Sequence, residues 1–414
     1  MLAEELESDV LIIGAGIVGL AIAYQLLERG ISNNIVIIEK EKEIGMHSSG
    51  RNSGVLHAGI YYKPGSLKAK VCISGAKRLK SWITERKLPI FNCGKVIVPT
   101  KKKLDHMIDV LYERGLENGA DVSIINKSQL KEIISIARSA SGRAIWSPNT
   151  SVTKPIAVIQ QLEKELKSLG VKFIKNSKIL NLDIDNNIIE VTSGNSISKI
   201  SYFHLYNCSG VQADKIAKLF NVGNNYFILP FKGLYWKTRK LSKIKLSTNL
   251  YPVPDLSVPF LGIHFTPNTD KEPEVNIGPT ATPAFGRENY KGLKGIEPAM
   301  AIKNLSILAE QYLFNKNNFR SYVHQQAFLS LSPLLLQEAQ LLIPQLKKTD
   351  IEISHKIGIR PQLFNNSSKE LVDDFICIQS NSSTHILNAI SPAFTASFSL
   401  ADLIIDKKIE SHGQ

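Results

Sequence analysis

Gly14, Gly16 and Gly19 stand in the spacing G-x-G-x-x-G, and an acid, Glu39, follows after a second apolar run. A dinucleotide demands this set of residues. The first glycine permits a tight turn, the second lets the backbone approach a pyrophosphate, and the third lets a helix pack closely on a strand. A carboxylate at the end of the next strand receives ribose hydroxyls. It disfavours a 2′-phosphate, so NADP is set aside while NAD and FAD remain open. Lys40, next to this acid, is grouped with the same site.

The segment His47-Ser48-Ser49-Gly50-Arg51-Asn52-Ser53-Gly54-Val55-Leu56-His57 is rich in small, hydroxyl and glycine residues. An NAD domain would proceed directly to another helix and strand. A flavin domain uses such a loop to bring backbone amides against the pyrophosphate and the ring. On chemistry alone a polar surface loop is the alternative. The cofactor contacts expected here are Ser48, Ser49, Arg51, Asn52, Ser53, Gly54 and Val55.

These residues need elements to hold them. Val10–Ile13 is a short apolar run that reads as a buried parallel strand. Apolar residues from Val18 to Leu27 recur at helical spacing, and Gly30 ends that helix. Ile35–Ile38 is a second strand, which completes a βαβ unit. Further helices are predicted over Leu67–Arg86, Leu104–Asn118, Pro155–Leu169, Pro298–Asn315, Ser332–Ile343 and Ala393–Asp406. Strands are predicted over Val171–Ile174, Ile179–Asp183, Ile188–Thr192, Tyr202–Tyr206, Phe231–Thr238, Phe260–Phe265 and Ile376–Gln379.

With 414 residues, 43% hydrophobic and 21% charged, the chain is globular and large enough for two or three domains. The formal net charge of +13 favours anionic partners without choosing among metabolites, nucleotides and anionic lipid. No aromatic-basic motif supports nucleic acid. Cys72, Cys93, Cys208 and Cys377 are scattered, so no metal site or disulfide framework is expected, and the default is a reducing, cytoplasmic compartment. The apolar stretch Val10–Tyr24 falls short of the ~20 residues that span a bilayer and follows an acidic leader. The expectation is a soluble protein, with peripheral contact on the inner face of a membrane as an option.

Arg51–Lys70 (R-N-S-G-V-L-H-A-G-I-Y-Y-K-P-G-S-L-K-A-K) resembles the signature loop of the L-2-hydroxyglutarate dehydrogenases and oxidases. These are FAD enzymes of the D-amino-acid-oxidase-like superfamily. Asn249–Pro267, Asn207–Ala217, Gly278–Tyr290 and Asn388–Thr395 resemble the same family. The sequence departs from it at Ser368-Lys369-Glu370 and at Phe394. The resemblance implies an α/β fold: a Rossmann-type, glutathione-reductase-like FAD-binding domain (1–75, 150–215 and 350–414) and a second α+β substrate domain on an antiparallel sheet (76–149 and 216–349). It adds Ser209, Gly210, Pro392, Ala393, Phe394 and Thr395 to the FAD contacts.

The implied reaction is oxidation of L-2-hydroxyglutarate, or a close 2-hydroxy acid, by transfer of the C2 hydrogen to flavin N5. A base must take the hydroxyl proton, and histidine suits this. His57 and His264 each lie in a family-specific segment, and His57 is alternatively a point of covalent flavin attachment. Arg360, in a G-x-R-P element resembling that of amino-acid oxidases, suits bidentate binding of the substrate carboxylate. Lys232, Tyr61, Tyr62 and Tyr251 are candidates for the second carboxylate of a dicarboxylic acid. The electron acceptor (oxygen, a quinone or a protein carrier) stays open. Rival readings are an amino-acid or glycerol-3-phosphate oxidase and a flavin-bound assembly factor without turnover. Gly16→Val should abolish stoichiometric FAD binding, because a side chain there fills the place where backbone meets phosphate. Flavin absorbance of the purified variant checks this, and retained FAD overturns the glycine-loop assignment.

Overall fold

The computed structural model describes residues 4–194, 196–254, 261–269, 274–315, 320, 323 and 332–407. The expected βαβ unit is present as β1 (Glu4–Ile13), α1 (Ile17–Glu28) and β2 (Ile35–Ile38). β1 starts well before the apolar run. Glu5, Glu7 and Asp9 are exposed while Ser8 and Val10 are buried, the period-2 alternation of a strand covered on one face. The acids read as a leader are therefore the solvent side of the strand. α1 is buried from Ile17 to Leu26, so its lack of a polar stripe reflects cover on every side.

That cover comes from far along the chain. α2 (Leu67–Glu85), α3 (Pro155–Ser168) and the last helix contribute Leu79, Trp82, Val158, Ile159, Leu162, Phe398 and Leu400 to the core that holds Leu20, Ile22 and Leu26. Between α2 and α3 lies β3 (Lys95–Val98), which belongs to a different sheet. After α3 come β4 (Lys172–Ile174), β5 (Ser177–Asp183), β6 (Ile188–Ser193) and β7 (Ser196–Asn207). Among the described residues the first sheet has eight strands, ordered β5-β6-β7-β1-β2-β4 with two more beside β7. β1 pairs in parallel with both β7 and β2. The C-terminal end of β1 therefore lies between those of β7 and β2, where a ligand crevice is expected of such sheets.

α4 (Ala213–Leu219) follows β7 and leads to β8 (Tyr226–Thr238), β9 (Asn249–Pro252), β10 (His264–Pro267), β11 (Val275–Gly278), α5 (Pro298–Phe314) and β12 (Ile351–Asn365). The second sheet has ten strands among the described residues and runs β12-β8-β11-β10-β9-β3, with two short strands beyond β3, one beyond β12 and one beside β8. Its spine is the antiparallel pair β8 and β12, in register from Tyr226↔Asn365 to Thr238↔Ile351 with one irregularity between Leu234 and Trp236. Phe260 of the predicted strand Phe260–Phe265 lies outside the described residues.

Two expected boundaries are corrected. Residues 351–365 belong to the second sheet rather than to the dinucleotide unit, because β12 pairs with β8 along its length. The end of α2, including Leu79, Trp82 and Ile83, packs with α1 and so belongs to the dinucleotide unit rather than to the substrate unit. The first sheet resumes with β13 (Ile376–Gln379) and β14 (Ser383–Asn388), and the chain's last described helix is α6 (Ser397–Ile405), which starts later than the predicted Ala393.

One buried ion pair ties the two units. Arg287, in the segment after β11, donates to both carboxylate oxygens of Asp214 in α4 at 2.5 and 2.8 Å, and Asp214 also accepts from the Ile228 backbone N–H at 3.1 Å. Both side chains are almost fully buried. Breaking such a pair strands a charge and costs about 3–5 kcal/mol. Asp214→Ala should lower stability by that amount, read as a lower denaturant midpoint with unchanged slope. A variant that unfolds with the parent would show that the pair does not anchor the units.

Candidate active site

The glycine turn is fixed by backbone contact. Gly14 has φ +106°, and a Cβ there would lie 2.6 Å from the Cys208 carbonyl oxygen at the end of β7. A Cβ on Gly19 would lie 2.2 Å from the Gly14 carbonyl oxygen. Gly16 is the N-cap of α1 and brings no capping side chain. Ser49 Oγ accepts from Ile17 N–H at 3.0 Å, and a Cβ on Gly16 would press on that oxygen at the same distance. Glu39 braces the turn from β2: one carboxylate oxygen accepts from Ala15 N–H at 2.9 Å, the other from Glu41 N–H at 3.0 Å.

Two cavities meet at this helix start. A 350 Å³ cavity is lined by Gly14, Gly16, Glu39, Lys40, Ser48, Ser49, Ser209 and Gly210. A 260 Å³ cavity is lined by Ile17, Ser48, Ser49, Arg51, Asn52, Ser53, Val55, Pro392, Ala393, Phe394 and Thr395. Ser48 and Ser49 face both, beside the positive end of α1. The arrangement fits FAD: adenosine in the first cavity, pyrophosphate at the junction and the flavin ring in the second. Gly19 and Gly54 line neither cavity. Gly19 packs on the turn as its place in the motif implies. Gly54 is corrected to a packing role, since its Cβ would lie 2.2 Å from the Thr153 carbonyl oxygen.

The second cavity also gathers His57, Lys232, Tyr251, His264 and Arg360. β10 starts at His264, whose Nδ1 lies 2.8 Å from the Gly262 carbonyl oxygen. A carbonyl only accepts, so Nδ1 carries the proton and Nε2 is the basic nitrogen. Burial, with the nearby Lys95 ammonium adding to it, holds His264 down at about 4, against the opposing hydrogen bond to Gly262. His57 is likewise held well below the usual range by burial, then by Lys95 and His264. Its Nδ1 is buried with no partner among the described residues, and its Nε2 lies 3.4 Å from Ser391 Oγ.

Other candidates fare differently. Lys232 Nζ donates to Asn289 Oδ1 at 3.0 Å, so its ammonium is already engaged. Tyr61 and Tyr62 do not line the cavity. Tyr61 packs with Ile97 and Ile108 behind it, while Tyr62 sits near Arg360, with the Lys68 ammonium 5.9 Å from its ring centroid. Lys40 lines the first cavity, but its ammonium contacts Glu41, Glu288 at 2.7 Å and His47 at 2.8 Å. His47 in turn bonds the Tyr290 hydroxyl at 2.8 Å, and Arg51 stacks 4.4 Å over the Tyr290 ring. The segment after β11 thus packs against residues that line the two cavities.

Several residues were not anticipated from the sequence. Tyr235 lines the cavity with Phe231 and Gly233, the period-2 face of β8, and that alternation was available as a signal. Lys95 had no local signal. It reads as an ordinary surface lysine, yet it is 1% exposed, with its ammonium near the rings of Tyr251 and Tyr61.

Comparison with known proteins agrees with this geometry. Residues 9–407 match the family of FAD dependent oxidoreductases, DAO. The mitochondrial L-2-hydroxyglutarate dehydrogenase of Caenorhabditis elegans is 34% identical, across 97% of this chain and 93% of that protein. The L-2-hydroxyglutarate dehydrogenase of Escherichia coli (strain K12) is 30% identical, across 96% of this chain and 92% of that protein. In fold, the chain is similar to L-alpha-glycerophosphate oxidase of Mycoplasma pneumoniae with FAD bound (TM-score 0.74, 20% identity, 96% of this chain and 94% of that one). It is also similar to glycine oxidase of Geobacillus kaustophilus (TM-score 0.71, 16% identity, 99% and 97%). The glycine turn, the paired cavities and the match along nearly the whole chain agree: this protein belongs to the FAD dependent oxidoreductase family, with L-2-hydroxyglutarate dehydrogenases among its relatives.

Proposed function

We propose that the protein oxidises L-2-hydroxyglutarate to 2-oxoglutarate. The observation that carries this reading is the joint lining of one cavity by His264, with its basic Nε2, and by Arg360, on the flavin side of the dinucleotide crevice. The L-2-hydroxyglutarate dehydrogenases that align along nearly the whole chain support the choice of substrate. Bound FAD supplies the acceptor for the C2 hydrogen and its electron pair. The protein's part is proton transfer and aim. His264 Nε2 takes the hydroxyl proton as the C2–O bond becomes a carbonyl. Arg360 holds the C1 carboxylate through both oxygens and so sets the angle at which C2 meets the ring. Tyr235 and Tyr251 give the cavity aromatic walls beside these two groups.

A base must be neutral to accept a proton. With His264 at about 4, flavin reduction should stay flat from neutral pH down to about pH 5 and fall only toward pH 4. Anaerobic stopped-flow with L-2-hydroxyglutarate, its D enantiomer, glycine and glycerol 3-phosphate tests both substrate and roles. His264→Ala should slow reduction by roughly 10²–10⁴ with little change in substrate affinity. Arg360→Lys should keep affinity and lose rate, because an ammonium attracts without orienting. Arg360→Ala should lose both, by at least tens-fold. Unimpaired turnover by Arg360→Ala would place the carboxylate elsewhere.

A peripheral contact with an anionic membrane, where a quinone takes the electrons, is part of the same proposal. It is supported by the +13 charge and by Ile302, Leu313 and Phe314, which α5 leaves exposed on the helix that carries Lys303. Co-sedimentation with phosphatidylserine vesicles, lost at high salt, is the expected result. Failure to sediment at low salt removes the contact.

A further inference from the structure

Lys95 stands where a lysine is costly. β3 sets it opposite Asn249 of β9 and Ser147 of the neighbouring strand, inside the second sheet. Its ammonium lies 4.4 Å from the centroid of Tyr251 and 5.1 Å from that of Tyr61. The Tyr251 ring also carries His264, stacked at 3.9 Å with 19° between the planes. Among the described residues no carboxylate pairs with Lys95. The titratable groups that surround it are Tyr61 and His57 from the loop before α2, Cys72 of α2, Cys93 before β3, Tyr251 of β9 and His264 of β10.

All of these are neutral near pH 7. Burial pushes Cys72 up to about 12 and Cys93 to about 11, raises both tyrosines and lowers both histidines. Lys95 thus brings a positive charge into a compartment without a counter-charge. A methionine would fill the same space with favourable contacts to the rings and no desolvation cost. The charge is unfavourable for folding at this position, but it lies beside the two histidines of the cavity, where a like charge opposes protonation.

We propose that Lys95 is a positioning residue that acts through the Tyr251–His264 stack to keep the active-site histidines neutral and so ready to accept the substrate proton. This role rests on the reading of His264 as the proton acceptor. It divides the work between two effects. Burial lowers both histidines first, and the Lys95 ammonium, fixed on a strand inside the sheet, adds to it.

The test is a titration of the holoenzyme labelled with ¹³Cε1-histidine, followed by NMR, for wild type, Lys95→Met, Lys95→Gln and Lys95→Arg, with FAD content measured first. The two neutral variants should raise the His264 titration by about half a pH unit or more, and Lys95→Arg should leave it near wild type. The acid limb of flavin reduction should move the same way. Stability supplies an independent readout. Lys95 is pulled down from 10.5 to about 8 by burial, so the folded state disfavours its charged form. That penalty is complete below pH 8 and disappears above 10.5, because the unfolded chain binds the extra proton between them. Lys95→Met should therefore melt higher than wild type below pH 8, with the gain shrinking as pH rises toward 10.5. Unmoved histidine titrations in both neutral variants, with lowered melting temperatures, would make Lys95 a packing residue and overturn the proposal. Shifted titrations in a protein whose flavin L-2-hydroxyglutarate does not reduce would uphold Lys95 and defeat the substrate reading instead.

Discussion

The approach of three backbones at the top of the first sheet governs the rest of the molecule. Gly14, Gly19 and Cys208 sit so close that no Cβ fits at either glycine. That contact fixes where α1 begins relative to the ends of β1 and β7. The start of α1 in turn fixes where Ser49 can reach its first amide, and hence where the Ser48–Ser49 turn divides the crevice into two cavities. Glu39 completes the arrangement at the end of β2 by accepting from the Ala15 N–H of the turn and from the Glu41 N–H of its own loop. A pyrophosphate at this junction would meet the unsatisfied N–H groups of a helix end. Lys40, the nearest basic residue in sequence, is occupied by Glu41 and Glu288.

Electrostatically the molecule has two regimes. Its surface carries a large positive surplus, while the chamber around Tyr251 and His264 holds groups that burial keeps uncharged. Cations stand there too: Arg360, Lys232 and Arg51 line the cavity, and Lys95 lies behind it. An anionic substrate entering such a chamber meets attraction from Arg360 and little competing negative charge. The burial that keeps the His264 imidazole neutral also makes it a weaker proton acceptor than a free histidine, so the substrate hydroxyl has to be held against it.

Local pattern revealed the parts of the fold that are local. The βαβ unit was legible because Val10–Ile13 and Ile35–Ile38 are buried on both faces and the glycines lie between them. The acidic start of β1 was misread because exposed acids alternating with buried residues look like a charged leader when the partner strand, β7, lies far along the chain. β12 went unread for a related reason. Glu352, Ser354, His355 and Lys356 interrupt any apolar run, and only its pairing with β8 makes the segment a strand. In the site, His57, His264 and Arg360 were legible through their motifs. Lys95 was not, since burial of a lysine is a tertiary fact that no spacing announces. Lys232 was legible as a cation, but its engagement by Asn289 depends on a loop that packs against it.

The path of the chain through the first sheet has a consequence in time. β1, β7 and β14 are hydrogen-bonded neighbours, but they are drawn from the beginning, the middle and nearly the end of the sequence. On a ribosome adding about 5–20 residues each second, the end of β7, Leu205–Asn207, emerges with one flank bare and stays so until Ser383–Asn388 has been made. The segment Pro392–Thr395, which walls the flavin side of the crevice, follows later still. The flavin side of the crevice is therefore complete only once Thr395 has been made, whereas the residues that line the first cavity are all present by Ile216. A chain cut before Pro392 loses the flavin wall of the crevice rather than a peripheral helix alone.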